Sequence, residues 1–268
     1  MRFQKIGLIG CGNMGSALAA AMQKEGRRIY LSNRTAAKAE ALAEKIGATV
    51  SNNAEIANSC DLILLGVKPQ MMAGLLQEIS EPLRSRPTPF VLVTMAAGLT
   101  METIQTLSGS PCPVIRMMPN TPASIGKGMI LYCETGVSQG EIEEFCTLFS
   151  GAGRLDPLPE SLIDAGSAVS GCGPAFVYLF LEALADGGVA CGLPRAKAQM
   201  YAAQTLIGSA ELVLQGAQHP GALKDAVCSP AGTTIQGVRA LERNGFRSAA
   251  MEAVIAAYDK TCALAKKE

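Results

Sequence analysis

The stretch Lys5-Ile6-Gly7-Leu8-Ile9-Gly10-Cys11-Gly12-Asn13-Met14-Gly15 decides how the first half of this chain folds. An apolar run with strand character enters G-x-G-x-x-G, and a helical pattern over residues 16–25 follows at once. Gly10 permits the tight strand-to-helix turn and Gly12 lets the backbone approach a pyrophosphate. Gly15 lets the helix pack close to the strand. The free N–H groups and positive dipole end of that helix then face the phosphates, with Gly10, Gly12, Asn13, Met14 and Gly15 as the expected cofactor-binding residues of the turn. Read this way, the turn is a dinucleotide cradle; the bland alternative is a glycine-rich structural turn.

The second strand says which dinucleotide. An NAD site carries Asp or Glu about 20 residues on, where it bonds the ribose 2′-hydroxyl. Here Arg28-Ile29-Tyr30-Leu31 ends in Ser32-Asn33-Arg34-Thr35, and no acid is present. The Arg34 guanidinium can fork onto a phosphate dianion, with Ser32 and Asn33 beside it. An NADPH pocket is therefore expected, with NADH as a usable second donor. Ser32 and Thr35 also read as caps of the helix that begins near Ala36, and both readings can hold together.

Size and composition narrow the class. With 268 residues the chain can build one large or two modest domains. Lys plus Arg (23) balance Asp plus Glu (23), so no nucleic-acid footprint or attraction to an anionic membrane is expected. Hydrophobic content of 49% with 17% charge points to apolar area shared between subunits. The nine cysteines form no C-x-x-C, and the single histidine cannot complete a zinc set, so no metal site is expected. Scattered through apolar segments, they read as buried reduced thiols of a cytoplasmic protein. The chain enters a strand within a few residues, leaving no room for a targeting peptide. The longest apolar stretch, 175–193, contains Glu182 and Asp186 and reads as a buried helix rather than a membrane span.

Strand-like runs at 3–9, 28–32, 48–51, 61–67, 90–95 and 114–118 alternate with helical patterns at 16–25, 36–46, 71–79 and 101–107. This is the rhythm of βαβ units around a doubly wound, mostly parallel sheet, a Rossmann domain of the α/β class. A further strand at 129–133 and a helix at 140–149 complete the region. From about Leu162 only helical periodicity survives, over 162–169, 174–191, 195–215, 232–244 and 247–266. Turn residues and two prolines between Gly153 and Pro159 mark the boundary. The expected division is residues 1–158 for nucleotide binding and 159–268 for an all-α substrate-binding and dimerisation domain.

Three loops fall at the carboxyl ends of strands, where open α/β sheets bind ligands. They are Val67-Lys68-Pro69-Gln70, Ala96-Ala97-Gly98, and Met118-Pro119-Asn120-Thr121-Pro122. Lys68 is expected to face the cofactor, the small Ala96–Gly98 segment to underlie the nicotinamide or ribose, and Asn120 to offer its amide. A fourth loop, Cys228-Ser229-Pro230-Ala231-Gly232-Thr233-Thr234, opens a helix whose N–H groups at Gly232 to Thr234 can seat a carboxylate. Its hydroxyls are Ser229, Thr233 and Thr234. Ordinary helix capping is the plain alternative.

Together these motifs resemble the pyrroline-5-carboxylate reductase family over nearly the whole chain. The resemblance rests on G-C-G-N-M-G, V-K-P-Q, A-A-G, M-P-N-T-P, S-G-C-G-P-A, L-P-R at 193–195, and above all the segment 219–234 from His219-Pro220-Gly221 to Gly232-Thr233-Thr234. It implies NAD(P)H-dependent reduction of the C=N bond of 1-pyrroline-5-carboxylate to L-proline, the last step of proline synthesis. It also implies homodimers that often assemble into larger rings. Onto this sequence it carries Ser229 and the backbone of Gly232 and Thr233 to the substrate carboxylate, and the Thr234 hydroxyl to the imine nitrogen. Two departures stand out: Ala231 where glycine is common, and Cys172 where serine is common.

A 3-hydroxyacid dehydrogenase of similar architecture is the rival enzyme. It needs a base for the alcohol proton and a lysine early in the helical domain. Between Asp156 and Leu223 the one lysine is Lys197, two residues into a helix. A non-catalytic NADP-binding regulator is the rival outside enzymes, and has no use for the hydroxyl-rich fourth loop.

Overall fold

The computed structural model describes residues 2–22, 26–216 and 218–265. Its first part is an eight-stranded sheet made of β1 (Lys5–Ile9), β2 (Arg28–Ser32), β3 (Thr49–Val50), β4 (Leu62–Leu65), β5 (Val91–Thr94), β6 (Val114–Met118), β7 (Gly128–Thr135) and β8 (Gly153–Pro157). The strand order is β3-β2-β1-β4-β5-β6-β7-β8. The first six strands are parallel and follow the Rossmann order. Strand β7 runs antiparallel to β6, and β8 runs parallel to β7. The expected α/β class and mostly parallel sheet are therefore present.

Both faces of the sheet are covered, which explains the near-continuous apolar strands. Leu62 and Leu64 of β4 join one buried cluster with Phe3, Ile6, Leu8 and Leu31. Ile63 and Leu65, pointing the opposite way, join the other with Ile9, Ile56, Leu76 and Leu92. Registry pairs Ile6 with Leu62 and Ile9 with Leu65, so β1 and β4 end side by side. The strand order reverses between them, and a ligand crevice opens at that point.

The helices of this part are α1 (Asn13–Ala21), α2 (Ala36–Ile46), α3 (Asn53–Ser59), α4 (Met72–Ser85), α5 (Met101–Ser108), α6 (Gln139–Phe149) and α7 (Glu160–Ser170). The expected end of the first helix at Glu25 lies outside the described residues, as does Lys266 at the other end of the chain. Helix α4 outlasts its expected end at Ile79 and passes through Pro82. Leu75, Leu76, Ile79 and Leu83 continue its buried stripe, and that packing outweighs the lost backbone bond. Strand β8 occupies the segment expected to be only a boundary turn. At the edge of the sheet its Pro157 costs no ladder bond, so a proline that reads as a turn is tolerated.

Helices α8 (Gly173–Ala190), α9 (Arg195–Gln215), α10 (Pro220–Ala226), α11 (Thr233–Arg243) and α12 (Phe246–Ala265) complete the chain. Two compact units emerge: one through Cys172 together with the chain from Ala257 onward, the other Gly173–Ala256. In the second unit the buried hydrophobics among the described residues are Ala185, Ala198 and Ala202 alone. Helix α8 is thus not the buried helix its composition implies. Val177, Tyr178 and Leu179 stand 48%, 60% and 69% exposed, because one copy of this unit has nothing to cover them. By composition the stretch Glu160–Ala190 is long and apolar enough to cross a membrane. It is, however, two helices, with a turn at Gly171 and Cys172 between them.

The thiols divide in the same way. Cys11, Cys60, Cys112 and Cys133 are buried as expected, whereas Cys172 and Cys191 are exposed. Burial pushes the Cys60 thiol up to about 11. For Cys133, burial followed by the Glu160 carboxylate pushes it to about 12.

Candidate active site

The glycine turn packs against β4 so closely that side chains are excluded. A Cβ on Gly10 would meet the Gly66 carbonyl carbon at 2.6 Å, and one on Gly15 would meet the Gly10 oxygen at 2.5 Å. Gly10 also has φ of +106°, a conformation open to glycine. Gly12 is different: a Cβ there would meet nothing within 4 Å, so its backbone fronts open space. The first helical bond of α1 runs from Ser16 N–H to the Gly12 carbonyl at 2.9 Å. The N–H groups of Asn13, Met14 and Gly15 precede it and point out of the helix end. A pyrophosphate fits that seat, with backbone approach at Gly12 and donors at Asn13 to Gly15.

Two cavities share this turn. One, of about 490 Å³, runs from Gly12–Gly15 past Gly66, Val67 and Lys68 to Met95, Met118 and Pro119. The other, of about 710 Å³, runs from Gly10 and Gly12 past the same three residues to Asn33, Arg34, Thr35 and Lys38. Both have the size of small-molecule sites, and a dinucleotide could extend from the shared turn into each of them.

The sequence-expected residues distribute unevenly over these walls. Gly10, Gly12, Asn13, Met14, Gly15, Asn33, Arg34, Val67 and Lys68 line one or both cavities. Pro69 is the first residue of a 3-10 turn, Pro69–Met71, and fixes the exit of the chain after Lys68. Ser32 is buried, and its Oγ donates to Asn53 Oδ1 at 2.6 Å, so it neither caps α2 nor fronts the cavity. Thr35 occupies the α2 cap position without a side-chain bond. Asn33 joins the turn to the second strand, accepting from Cys11 N–H at 3.0 Å and donating to the Thr35 carbonyl at 2.9 Å. In the smaller cavity the wall is Met95 rather than Ala96, which is 2% exposed. Ala97 and Gly98 form the turn after it, with Gly98 at φ +79°.

Asn120 departs most from expectation. Its Oδ1 accepts from Met129 N–H at 3.0 Å and its Nδ2 donates to the Ser170 carbonyl at 2.9 Å. At 8% exposure it spends its amide on tying β7 and the end of α7 to the loop, and Pro119 fronts the cavity instead. Sequence reasoning missed Lys38, Gly66, Asn53 and Glu78, which also line the walls. Lys38 had a local signal, since it lies one turn of α2 beyond Arg34. Asn53 and Glu78 arrive from α3 and α4 and had none.

In the second unit the fourth loop is a tight turn. Gly232 N–H donates to the Ser229 carbonyl at 3.0 Å, with Pro230 and Ala231 at the corner. Ala231 has φ of +58°, the left-handed region, as a type II turn requires of its third residue. A Cβ on Gly232 would meet the Ser229 oxygen at 3.0 Å, so glycine suits that position. The Gly232 N–H is therefore committed to the turn, contrary to its expected role as a free donor. Helix α11 begins at Thr233 with no side-chain cap, leaving the N–H groups of Thr233 and Thr234 at its start. Ser229, Thr233 and Thr234 are exposed. His219 caps α10, its Nδ1 accepting from Gly221 N–H at 3.0 Å, which accounts for the lone histidine.

A family model described as pyrroline-5-carboxylate reductase dimerisation matches residues 160–264. A second, described as NADP oxidoreductase coenzyme F420-dependent, matches residues 5–98. The pyrroline-5-carboxylate reductase of Escherichia coli (strain K12) is 39% identical, covering 98% of this chain and 99% of its own. That of Synechocystis sp. is 41% identical, covering 98% and 99%. A crystal structure of Plasmodium falciparum pyrroline carboxylate reductase with NADP bound superposes with a TM-score of 0.86. It is 33% identical, over 97% of this chain and 99% of that one. By whole-length identity and by fold, this chain belongs to the pyrroline-5-carboxylate reductase family.

Proposed function

We infer that this protein reduces the C=N bond of 1-pyrroline-5-carboxylate to give L-proline, with NADPH as donor and NADH as a weaker one. One observation carries the reading. In a chain that matches pyrroline-5-carboxylate reductases end to end, the crevice at the strand-order reversal ends in Arg34 and Lys38, where an NAD site would carry an acid.

Bound NADPH supplies the hydride. The chain does the rest. Gly12 and the start of α1 hold the pyrophosphate, Arg34 and Lys38 the 2′-phosphate, and Met95, Met118 and Pro119 keep water from the smaller cavity. The Ser229 hydroxyl and the N–H groups of Thr233 and Thr234 hold the substrate carboxylate. The Thr234 hydroxyl would donate a hydrogen bond at the ring nitrogen, whose proton is drawn from solvent as the imine becomes an amine. A cyclic imine is already electrophilic, so orientation and one positioned donor suffice, without a covalent nucleophile.

Residues 1–158 serve the nucleotide and 159–268 the substrate and subunit contact. The start of the dimerisation match at residue 160 supports this division. The assembly we propose is a cytoplasmic homodimer, with rings of dimers as the higher form and neither membrane nor nucleic acid as partner. NADPH consumption dependent on pyrroline-5-carboxylate, with proline as product, tests the reaction. Turnover of 3-hydroxy acids in its place would refute it.

A further inference from the structure

The ribose end of the nucleotide cavity carries an acid after all, though not on β2. Ser32 closes β2 and donates to Asn53 Oδ1 at 2.6 Å. Asn53 Nδ2 donates in turn to both carboxylate oxygens of Glu78, at 3.0 and 3.1 Å. The chain of bonds fixes the polarity of the amide. A carboxylate can only accept, so the amide NH₂ faces Glu78, and the amide oxygen accepts from the Ser32 hydroxyl. A carboxylate from α4 is thereby held two hydrogen bonds from the end of β2, the position where dinucleotide folds select at the 2′-oxygen. Asn53 and Glu78 line the same cavity as Arg34 and Lys38, and Glu78 is exposed on its wall.

The geometry points to Glu78 as a specificity-determining residue that tempers the preference for NADPH over NADH. Its negative charge opposes Arg34 and Lys38, loosening their hold on a 2′-phosphate dianion. A 2′-hydroxyl suffers no such repulsion and can donate toward the carboxylate. The pocket accordingly tolerates both cofactors instead of excluding NADH. This rests on reading the cavity as the nucleotide site, with the 2′ position beside Arg34.

Calorimetric titration of the full-length protein with 2′,5′-ADP and with 5′-ADP tests it without reference to turnover. Glu78→Gln removes the charge and keeps an acceptor for Asn53. The ratio of the 5′-ADP Kd to the 2′,5′-ADP Kd is expected to rise roughly fivefold, the size of one charge interaction near a protein surface. The kcat/KM preference for NADPH over NADH moves in the same direction, and Glu78→Ala gives the same shift. An unchanged ratio in Glu78→Gln overturns the proposal. So does a loss confined to Glu78→Ala that weakens both nucleotides alike, because Glu78 then only orients Asn53. Arg34→Ala, run alongside, must lose 2′,5′-ADP selectively; if it does not, the ribose-end assignment itself fails, whatever Glu78 does.

Discussion

A single hydroxyl at the start of α11 supplies the hydrogen bond at the ring nitrogen in the proposed chemistry. Thr234→Val keeps shape and β-branching and removes the donor. Loss of one preorganised donor costs about 2–4 kcal/mol of transition-state stabilisation. The expected result is a large fall in kcat with NADPH affinity intact. A thermal melt of the same preparation separates this from a helix-start defect, which lowers stability and leaves kcat near normal. At the other site Arg34→Ala is expected to raise the NADPH KM much more than the NADH KM. Equal effects on both cofactors would remove the 2′-phosphate role. Residues such as Gly10, Gly12, Gly15 and Arg34 were legible because their chemistry is local to one turn and one strand end. Asn53 and Glu78 were not, since β2, α3 and α4 must converge before Asn53 meets Ser32 on one side and Glu78 on the other. Asn120 shows the converse. Its loop pointed to the site, but its amide is consumed by backbone partners on β7 and at the end of α7.

Among the elements, the contact between the ends of β1 and β4 is the most exacting. A Cβ on Gly66 would meet the Gly10 carbonyl oxygen at 2.5 Å and Leu8 Cδ1 at 3.2 Å. Backbone cannot yield as a flexible side chain does, so Gly66→Ala must push the turn away from β4. The expected cost is about 1–3 kcal/mol of stability, as for overpacking, with loss of nucleotide binding. Denaturant melts and nucleotide titration check both parts; a normal affinity would mean that the turn tolerates the shift. Helix α3 offers a milder test. The Asn52 side chain accepts from Glu55 N–H at 2.9 Å, and Asn52→Ala is expected to cost about 1 kcal/mol in the same melts. Long elements with a clear period, such as α2, α9, β2 and β6, were read from sequence at their observed bounds. The short ones, α3 and β8, were missed because tertiary position decides them. An Asn-rich connector becomes helical once Ile56 and Ala57 are buried, and a proline-containing segment becomes a strand where the sheet has a free edge.

At the scale of the whole molecule the second unit poses the largest energetic question. Its buried hydrophobics are three alanines among the described residues, while Leu179, Leu212 and Leu214 stand 69%, 61% and 71% exposed. Covering each leucine is worth about 1.5–3 kcal/mol, so a lone copy forgoes most of the driving force that a helical unit needs. The family model matched over these helices is described as a dimerisation domain, which supports the proposed use of that exposed surface as subunit contact. In the proposed dimer a two-fold partner would present the same helices in return, and each copy would then supply the other's missing core. Stability and association should therefore be inseparable, with a melting temperature that rises with protein concentration. Leu179→Glu would place an unpaired carboxylate in that contact. It is expected to lower the sedimenting mass, the melting temperature and the activity together, because burying an unpaired charge costs more than the leucine contributes. An active, folded monomer in the sedimentation profile of the parent protein would contradict the dimer. A Leu179→Glu variant with unchanged mass and stability would instead place that side of α8 outside the contact.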